Sequence, residues 1–381
     1  MKEAVILEAL RTPFGRRGGA LSQVRPDQLL ADLLTVLLQR AEIGPEYIDD
    51  VVVGTVTQID EQGANLGRLA VLLAGMPVEV PATTLNRACS SSQQTVHSVS
   101  QAIDAGDLAY GIAAGVESMT RVPMFSDISG GFENLNPELL SRFDLVHQGE
   151  SAERVAEAWG ISREECDEYA AASHERASRG PHPELVPLTV PGDDGEGRLI
   201  DRDEGIRDPV DRARMEALKT VFRSDGNGVL TAANASQVSD GASALLIGDR
   251  ARARADGLRP RARFRGRVVV GADPSLQFTG ILGATPRVLE RAGLGIQDLD
   301  WIEINEAFAP VPLMWLREFD ADPEKVNPRG GAIAHGHPLG ATGGGLMAKM
   351  LAGLESIDGQ FGLQLMCAAQ GLATATILER L

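Results

Sequence analysis

The sequence predicts an α/β protein built from two similarly folded halves, with a long insert in the first. Three observations point there. Short apolar runs that read as buried strands alternate with stretches patterned at helical spacing. Residues 40–54 (RAEIGPEYIDDVVVG) recur without a gap, 251 residues later, as 291–305 (RAGLGIQDLDWIEIN). Residues 119–239 interrupt the pattern with a composition rich in Pro, Gly, Asp and Arg.

In order, Ala4 to Ala9 read as a first strand that stops at Arg11-Thr12-Pro13. Residues 26–40 place Leu29, Leu30, Leu33, Leu34, Leu37 and Leu38 at helical spacing, and Pro26 suits a first turn. Asp49-Asp50 leads into Val51-Val52-Val53-Gly54, a buried strand run, and residues 66–74 return to helical spacing. Within the repeat, Arg, Ala, Gly and one Asp coincide, and apolar positions match at 43/294, 48/299, 51/302 and 53/304. Each copy reads as a helix end, a short turn and a strand. Each is followed by a small-residue helical stretch (90–105; 339–354) and an apolar strand (110–116; 361–367). Two copies make two halves, not a solenoid. Inside the insert, helical pieces at 150–159 and 163–178 sit among connectors at Gly180-Pro181 and Pro191-Gly192-Asp193-Asp194-Gly195. Such a segment builds a binding surface and is more than a linker.

A chain of 381 residues has room for two or three domains. Hydrophobic residues at 43% and charged residues at 23% exclude disorder, collagen and a disulfide scaffold. Three cysteines, Cys89, Cys166 and Cys367, are too few and too far apart for a disulfide framework or a zinc site. A cytoplasmic location with free thiols is expected. The net charge of −17 argues against nucleic acid as a partner. The first ten residues lack the features of a signal peptide, and no apolar run reaches the length of a membrane span, so no membrane partner is expected.

Four places carry candidate chemistry. Cys89, in Asn86-Arg87-Ala88-Cys89-Ser90-Ser91-Ser92, precedes a helical stretch. A thiol there sees the positive end of the helix dipole and free N–H groups, which favour thiolate and can bind an oxyanion. By itself the same residue also reads as a buried structural cysteine. In Gly330-Gly331-Ala332-Ile333-Ala334-His335-Gly336-His337-Pro338, two histidines stand among small residues, where one can serve as a general base. No acidic or Cys ligand is near them in sequence, so no metal is expected. Asn305-Glu306 follows the repeated strand, a favoured position for sites in α/β folds, though it also reads as a helix cap. Cys367 ends a strand and enters a tight turn, Ala368-Ala369-Gln370-Gly371. Cys166 lies beside Glu164, Glu165 and Asp167, where negative charge opposes thiolate, and reads only as a core residue.

Together these blocks resemble the thiolase family. Its marks are Asn-x-x-Cys-x-Ser, Asn-Glu-Ala-Phe-Ala, Gly-Gly-Ala-x-Ala-x-Gly-His-Pro-x-Gly and a second Cys near the C-terminus. All four occur here in order over the full length. Val116-Glu117-Ser118-Met119 and Asn234-Ala235-Ser236-x-x-x-Asp240-Gly241-Ala242 are also thiolase-like. The resemblance implies a thiolase fold: two βαβαβαββ halves in αβαβα layers plus an inserted CoA-binding loop domain. On this sequence that gives an N-terminal half at 1–118 and 240–259, a loop domain at 119–239 and a C-terminal half at 260–381. It implies an acyltransferase that cleaves 3-ketoacyl-CoA to acyl-CoA and acetyl-CoA, or condenses two acyl-CoAs. Cys89 would be the nucleophile, His337 its base and Cys367 the acid–base for the carbanion. Asn305 would hold a water that, with His337, stabilises one oxyanion, and the backbone N–H groups of Cys89 and Ala369 would stabilise another. His147, Lys219, Ser236 and Phe308 would contact CoA, which enters as a substrate with no tightly bound cofactor. A homodimer or homotetramer is implied.

Several positions depart from the family pattern. Ser92 stands where Gly is common, Gln148 where Met is usual, Ala369 and Gln370 where glycines are usual, and Ile281 where Pro is common. Gln148, Gln277 and Gln370 are extra polar groups near the expected pocket, and are expected to alter acyl-group preference or slow turnover. Two other readings are a CoA-binding subunit of the same fold with little activity, and a ketosynthase-like condensing enzyme.

Overall fold

The computed structural model describes residues 2–128, 131–191, 197–223 and 226–381. Its first half runs β1 (Ala4–Arg11), β2 (Gly15–Arg16), α1 (Pro26–Ala41), β3 (Asp50–Gly54), α2 (Leu66–Leu73), β4 (Ala82–Leu85), α3 (Ser91–Ala105) and β5 (Tyr110–Ser118). The insert holds α4 (Pro137–Arg142), α5 (Gln148–Trp159), α6 (Arg163–Ala177), the hairpin β6 (Leu188–Pro191) with β7 (Gly197–Ile200), and α7 (Arg212–Glu216). Gly192 to Gly195 of the expected connector lie outside the described residues. There follow β8 (Ser239–Asp249), α8 (Arg250–Ala255), β9 (Ala262–Gly271), α9 (Gly280–Ala292), β10 (Trp301–Ile304), α10 (Pro310–Glu318), α11 (Ala332–His335), α12 (Leu339–Ser356), β11 (Phe361–Ala368) and β12 (Leu372–Arg380).

The repeat seen in the sequence is a repeat of structure. The C-terminal end of α1, a 3-10 turn and β3 correspond to the end of α9, a 3-10 turn and β10. β3 pairs parallel with β5 as β10 does with β11, and β8 and β12 then add antiparallel. The sheet order is β10-β11-β12-β9-β1-β8-β5-β3-β4. The strands of its two parts join where Val5 and Ile6 of β1 pair with Arg263 and Ala262 of β9.

Alternation along the strands sorts side chains into layers. On β8, Ala244 and Leu246 pack with the leucines of α1 on the outer face. Leu245 and Ile247 face inward to Val96, Val99 and Ile103 of α3 and Met347 and Leu351 of α12. The outer face of the second half is covered by Val288 of α9, Trp315 of α10 and Val155 of α5. Two helices thus lie buried between sheet surfaces, with helices outside both.

The central pair needs close approach. A Cβ on Gly343 of α12 would stand 2.6 Å from the Gln93 backbone nitrogen of α3. Ser92 Oγ accepts from Gly344 N–H at 2.8 Å, joining α3 to α12. The departure at Ser92 is therefore a helix–helix tie inside the fold. The insert is anchored by a buried ion-pair cluster: Arg11 of β1 binds Asp203 at 2.7 and 3.0 Å and Glu184 at 3.4 Å. Among the described residues no helix is long and apolar enough to cross a membrane, and no group of three or more His, Cys, Asp or Glu could hold a metal ion.

Candidate active site

Cys89 sits in a knuckle between β4 and α3. The Asn86 side chain braces it, donating to the Val56 carbonyl at 2.9 Å and accepting from Ala88 N–H at 2.8 Å. Ala88 takes a left-handed φ of +45°, which swings the next residue to the mouth of the helix. Cys89 is 9% exposed and borders a cavity of about 220 Å³ whose wall includes Val56, Met124, Phe125, Leu339 and Leu372. The expected preference for thiolate is not met in this state. Burial pushes the Cys89 thiol up to about 12, against the opposing pull of the Ala369 N–H and its own N–H. Cys89 is a neutral thiol whose sulfur already faces two backbone donors.

His337, Asn305 and Cys367 come together from three elements. His337 lies just after α11, Asn305 follows directly on β10, and Cys367 is the last residue but one of β11, the parallel neighbour of β10. Asn305 Nδ2 lies 3.4 Å from His337 Nε2 and 3.8 Å from Cys367 Sγ. His337 Nδ1 lies 2.7 Å from Thr342 Oγ1, whose hydroxyl donates to the Pro338 carbonyl at 2.8 Å. Both bonds are satisfied only if Nδ1 carries the ring proton, and Asn305 then donates to the free lone pair on Nε2. Burial lowers the His337 pKa to about 4, so the ring is neutral near pH 7. Burial and the nearby Cys89 push the Cys367 thiol far up, so it too is a neutral acid. Asn305 Oδ1 is buried and has no hydrogen-bond partner among the described residues.

His335 is excluded from this chemistry by its contacts. Its Nδ1 bonds the Gly336 carbonyl at 3.0 Å and its Nε2 meets Lys349 Nζ at 3.4 Å, so both nitrogens are occupied. Lys349 is buried, pairs with Glu303 at 3.0 Å and bonds the Gly330 carbonyl.

The turn after Cys367 accepts one of its two departures without strain. Ala369 keeps a negative φ, so a methyl group costs nothing there. Gln370 takes φ +57°, a conformation that glycine adopts freely and a side chain does not. Gln370 and Gln148 both border the cavity. Gln277 does not border it. Its amide instead donates to the Val146 carbonyl at 2.8 Å and accepts from Gln370 N–H at 3.3 Å.

Of the expected CoA contacts, three cluster. His147 caps α5, accepting from Gly149 N–H at 3.0 Å, and stacks on Phe222 with centroids 5.5 Å apart. Phe222 meets Phe308 edge-on at 5.7 Å. Ser236 N–H donates to the Ala307 carbonyl at 3.0 Å, beside Phe308. Partial burial lowers the His147 pKa. Lys219 is exposed just beyond α7.

Sequence reasoning missed Thr342, although it lies within the same small-residue run as His337; a hydroxyl one turn into the following helix was the signal. It singled out Glu306 beside Asn305 and Glu117 within a thiolase-like block, but left both without a specific task. Glu117 is buried and accepts from Val56, Thr57 and Gly340 N–H and from Gln62 at 2.7 to 3.1 Å, tying β5 to the start of α12. Glu306 accepts from Tyr169, Ser173, Asn327 and Ile333 N–H, fixing the segment beside Asn305.

Comparison with known proteins agrees with this geometry. The family model "Thiolase, N-terminal domain" matches residues 4–251 and "Thiolase, C-terminal domain" matches residues 258–380. A steroid 3-ketoacyl-CoA thiolase of Mycobacterium tuberculosis is 44% identical, with 100% of this chain and 95% of that protein covered. A 3-oxoadipyl-CoA/3-oxo-5,6-dehydrosuberyl-CoA thiolase of Escherichia coli is 42% identical over the whole of both. The crystal structure of human mitochondrial 3-ketoacyl-CoA thiolase superposes with a TM-score of 0.89 at 31% identity, covering 100% of this chain and 99% of that one.

Proposed function

The chain belongs to the thiolase family and has CoA-dependent thiolase activity, and from that premise we propose which residues carry the reaction. The carrying observation is that one amide, Asn305 Nδ2, reaches both His337 Nε2 and Cys367 Sγ.

In the cleavage direction, Cys89 sulfur attacks C3 of a 3-ketoacyl-CoA as His337 Nε2 takes its proton. The proton moves with the attack, because a thiol near 12 and an imidazole near 4 do not form an ion pair beforehand. The C3 oxyanion receives the N–H groups of Cys89 and Ala369. The C2–C3 bond then breaks, and its electron pair becomes the enolate of acetyl-CoA. Protonated His337, with a water held by Asn305 Oδ1, stabilises the enolate oxygen. Cys367 gives its proton to C2, and acetyl-CoA leaves. The incoming CoA thiol gives its proton to the Cys367 thiolate and attacks the acyl-Cys89. His337 returns its proton to Cys89 sulfur as the acyl group departs.

His147, Phe308, Ser236 and Lys219 hold CoA as a dissociable substrate, with no tightly bound cofactor. The protein works in the cytoplasm. It is a homodimer or a tetramer built from such dimers, through the edge of β4, unpaired among the described residues, and the exposed Leu69, Leu72 and Leu73 of α2 beside it.

The test is thiolysis. Acetoacetyl-CoA and longer 3-ketoacyl-CoAs are incubated with CoA and the protein, and loss of the enolate absorbance is followed. Loss with at least one of them is expected; no loss with any overturns the reading.

A further inference from the structure

We propose that Gln148, Gln277 and Gln370 make the acyl pocket selective for acyl groups that carry a hydrogen-bonding oxygen beyond the 3-keto group. This rests on the thiolase reading above and adds a substrate class to it.

Gln148 opens α5 and Gln370 tops the turn after β11, and both border the cavity at Cys89. Much of the rest of the wall is apolar, with Val56, Met124, Phe125, Phe132 and Leu339. Neither side-chain amide makes a hydrogen bond to a described residue, whereas the Gln370 backbone N–H does. Gln277 holds the two in place. It bonds the Val146 carbonyl, two residues before Gln148, and the Gln370 N–H. One buried side chain therefore fixes the spacing between both free amides. Gln370 is kept at φ +57° although its side chain disfavours that conformation.

The consequence for substrate follows from desolvation. An alkyl chain that fills this cavity strips water from two amides and gives nothing back. An acyl oxygen replaces that water, accepting from an amide N–H, and a hydroxyl can also donate to an amide carbonyl. A site built to bond a polar substrate group rejects the analogue lacking it, and one lost bond of this kind is worth about 10- to 100-fold. Arg87 and Asp127 also border the cavity with opposite charges, so charge alone does not choose between a carboxylate and a neutral hydroxyl.

The experiment compares kcat/KM for thiolysis of three six-carbon substrates. These are 3-oxoadipyl-CoA (terminal carboxylate), 6-hydroxy-3-oxohexanoyl-CoA (terminal hydroxyl) and 3-oxohexanoyl-CoA (plain alkyl). At least one oxygenated substrate is expected to exceed the alkyl one by about 10-fold or more. In Q148L/Q370G that ratio is expected to fall towards one, and Q277A is expected to lower it by loosening both amides. Preference for both oxygenated substrates supports reading by the amides alone; preference for the carboxylate only supports amides acting with Arg87. Q148M, close to the native volume, supplies the ratio if the double variant does not fold. Equal or faster turnover of 3-oxohexanoyl-CoA by the wild type, or a preference that survives these substitutions, overturns the proposal. If neither these substrates nor acetoacetyl-CoA is cleaved, the thiolase reading itself fails, which is a separate result.

Discussion

Thr342 Oγ1 lies 2.7 Å from His337 Nδ1 and sends its own proton to the Pro338 carbonyl, so the hydroxyl is an acceptor and the imidazole lone pair stays on Nε2. The bond selects the tautomer that can act as a base. Replacing Thr342 with Val keeps the shape and removes the acceptor. The T342V variant is expected to lose about 10- to 100-fold in kcat/KM for acetoacetyl-CoA thiolysis, and T342S to recover most of it.

In the proposed reaction Asn305 serves the enolate through its buried carbonyl oxygen, which has no partner among the described residues and holds the water, while its N–H meets His337 and Cys367. Asn305→Ala is expected to lower thiolysis by about 10²- to 10³-fold, the usual effect of deleting one oxyanion group. Acylation of Cys89 by acetyl-CoA breaks no carbon–carbon bond and should fall less. Steady-state thiolysis and rapid-quench acylation on the same variant separate the two.

The buried histidines set an acid limit. His337 and His174 fall to about 4 and His97 to about 3 from a usual 6.5, with burial the main cause in each. The unfolded chain then binds protons below pH 6.5 that the folded chain refuses. Each such group removes about 1.4 kcal/mol of stability per pH unit as pH falls from 6.5 towards its folded value. Urea midpoints at pH 7.5, 6.5 and 5.5 should be nearly level above 6.5 and drop below it. The kcat/KM profile should show no His337 limb near pH 6.5, because that ring stays neutral until about pH 4.

Lys349 bonds the Gly330 carbonyl and His335 and forms an ion pair with Glu303 at 3.0 Å, inside the central helix layer. Lys349→Met leaves Glu303 buried without its cation and is expected to cost about 3–5 kcal/mol. Adding Glu303→Gln removes the stranded charge and should recover part of the loss. Urea unfolding of the single and double variants measures both.

Much of this was legible in the sequence because it is local. The repeat at 40–54 and 291–305 places β3 and β10 after equivalent helices, and the structure puts them there. Cys89, Asn305, His337 and Cys367 stand out because each interrupts or ends a run of small or apolar residues. What could not be read was set by tertiary burial. The helix-end position of Cys89 argues for a thiolate, but enclosure by β4, α3 and the 369–371 turn outweighs the dipole. Gln277 looks from sequence like a pocket residue. It is a brace instead, because Val146 and Gln370, over a hundred and almost a hundred residues away, converge on its amide. Ser92 looks like a change at the nucleophile, and is a tie to Gly344 of α12.

The central claim is the division of labour between the two thiols, and mass spectrometry of the trapped enzyme tests it most directly. Wild type, Cys89→Ala and Cys367→Ala are each incubated with acetyl-CoA, quenched in acid and digested. An acetyl group is expected on the Cys89 peptide of the wild type and of Cys367→Ala, with none on Cys89→Ala, while Cys367→Ala neither cleaves nor forms acetoacetyl-CoA. Acetyl found on Cys367 in place of Cys89, or full thiolysis by Cys367→Ala, would contradict the account.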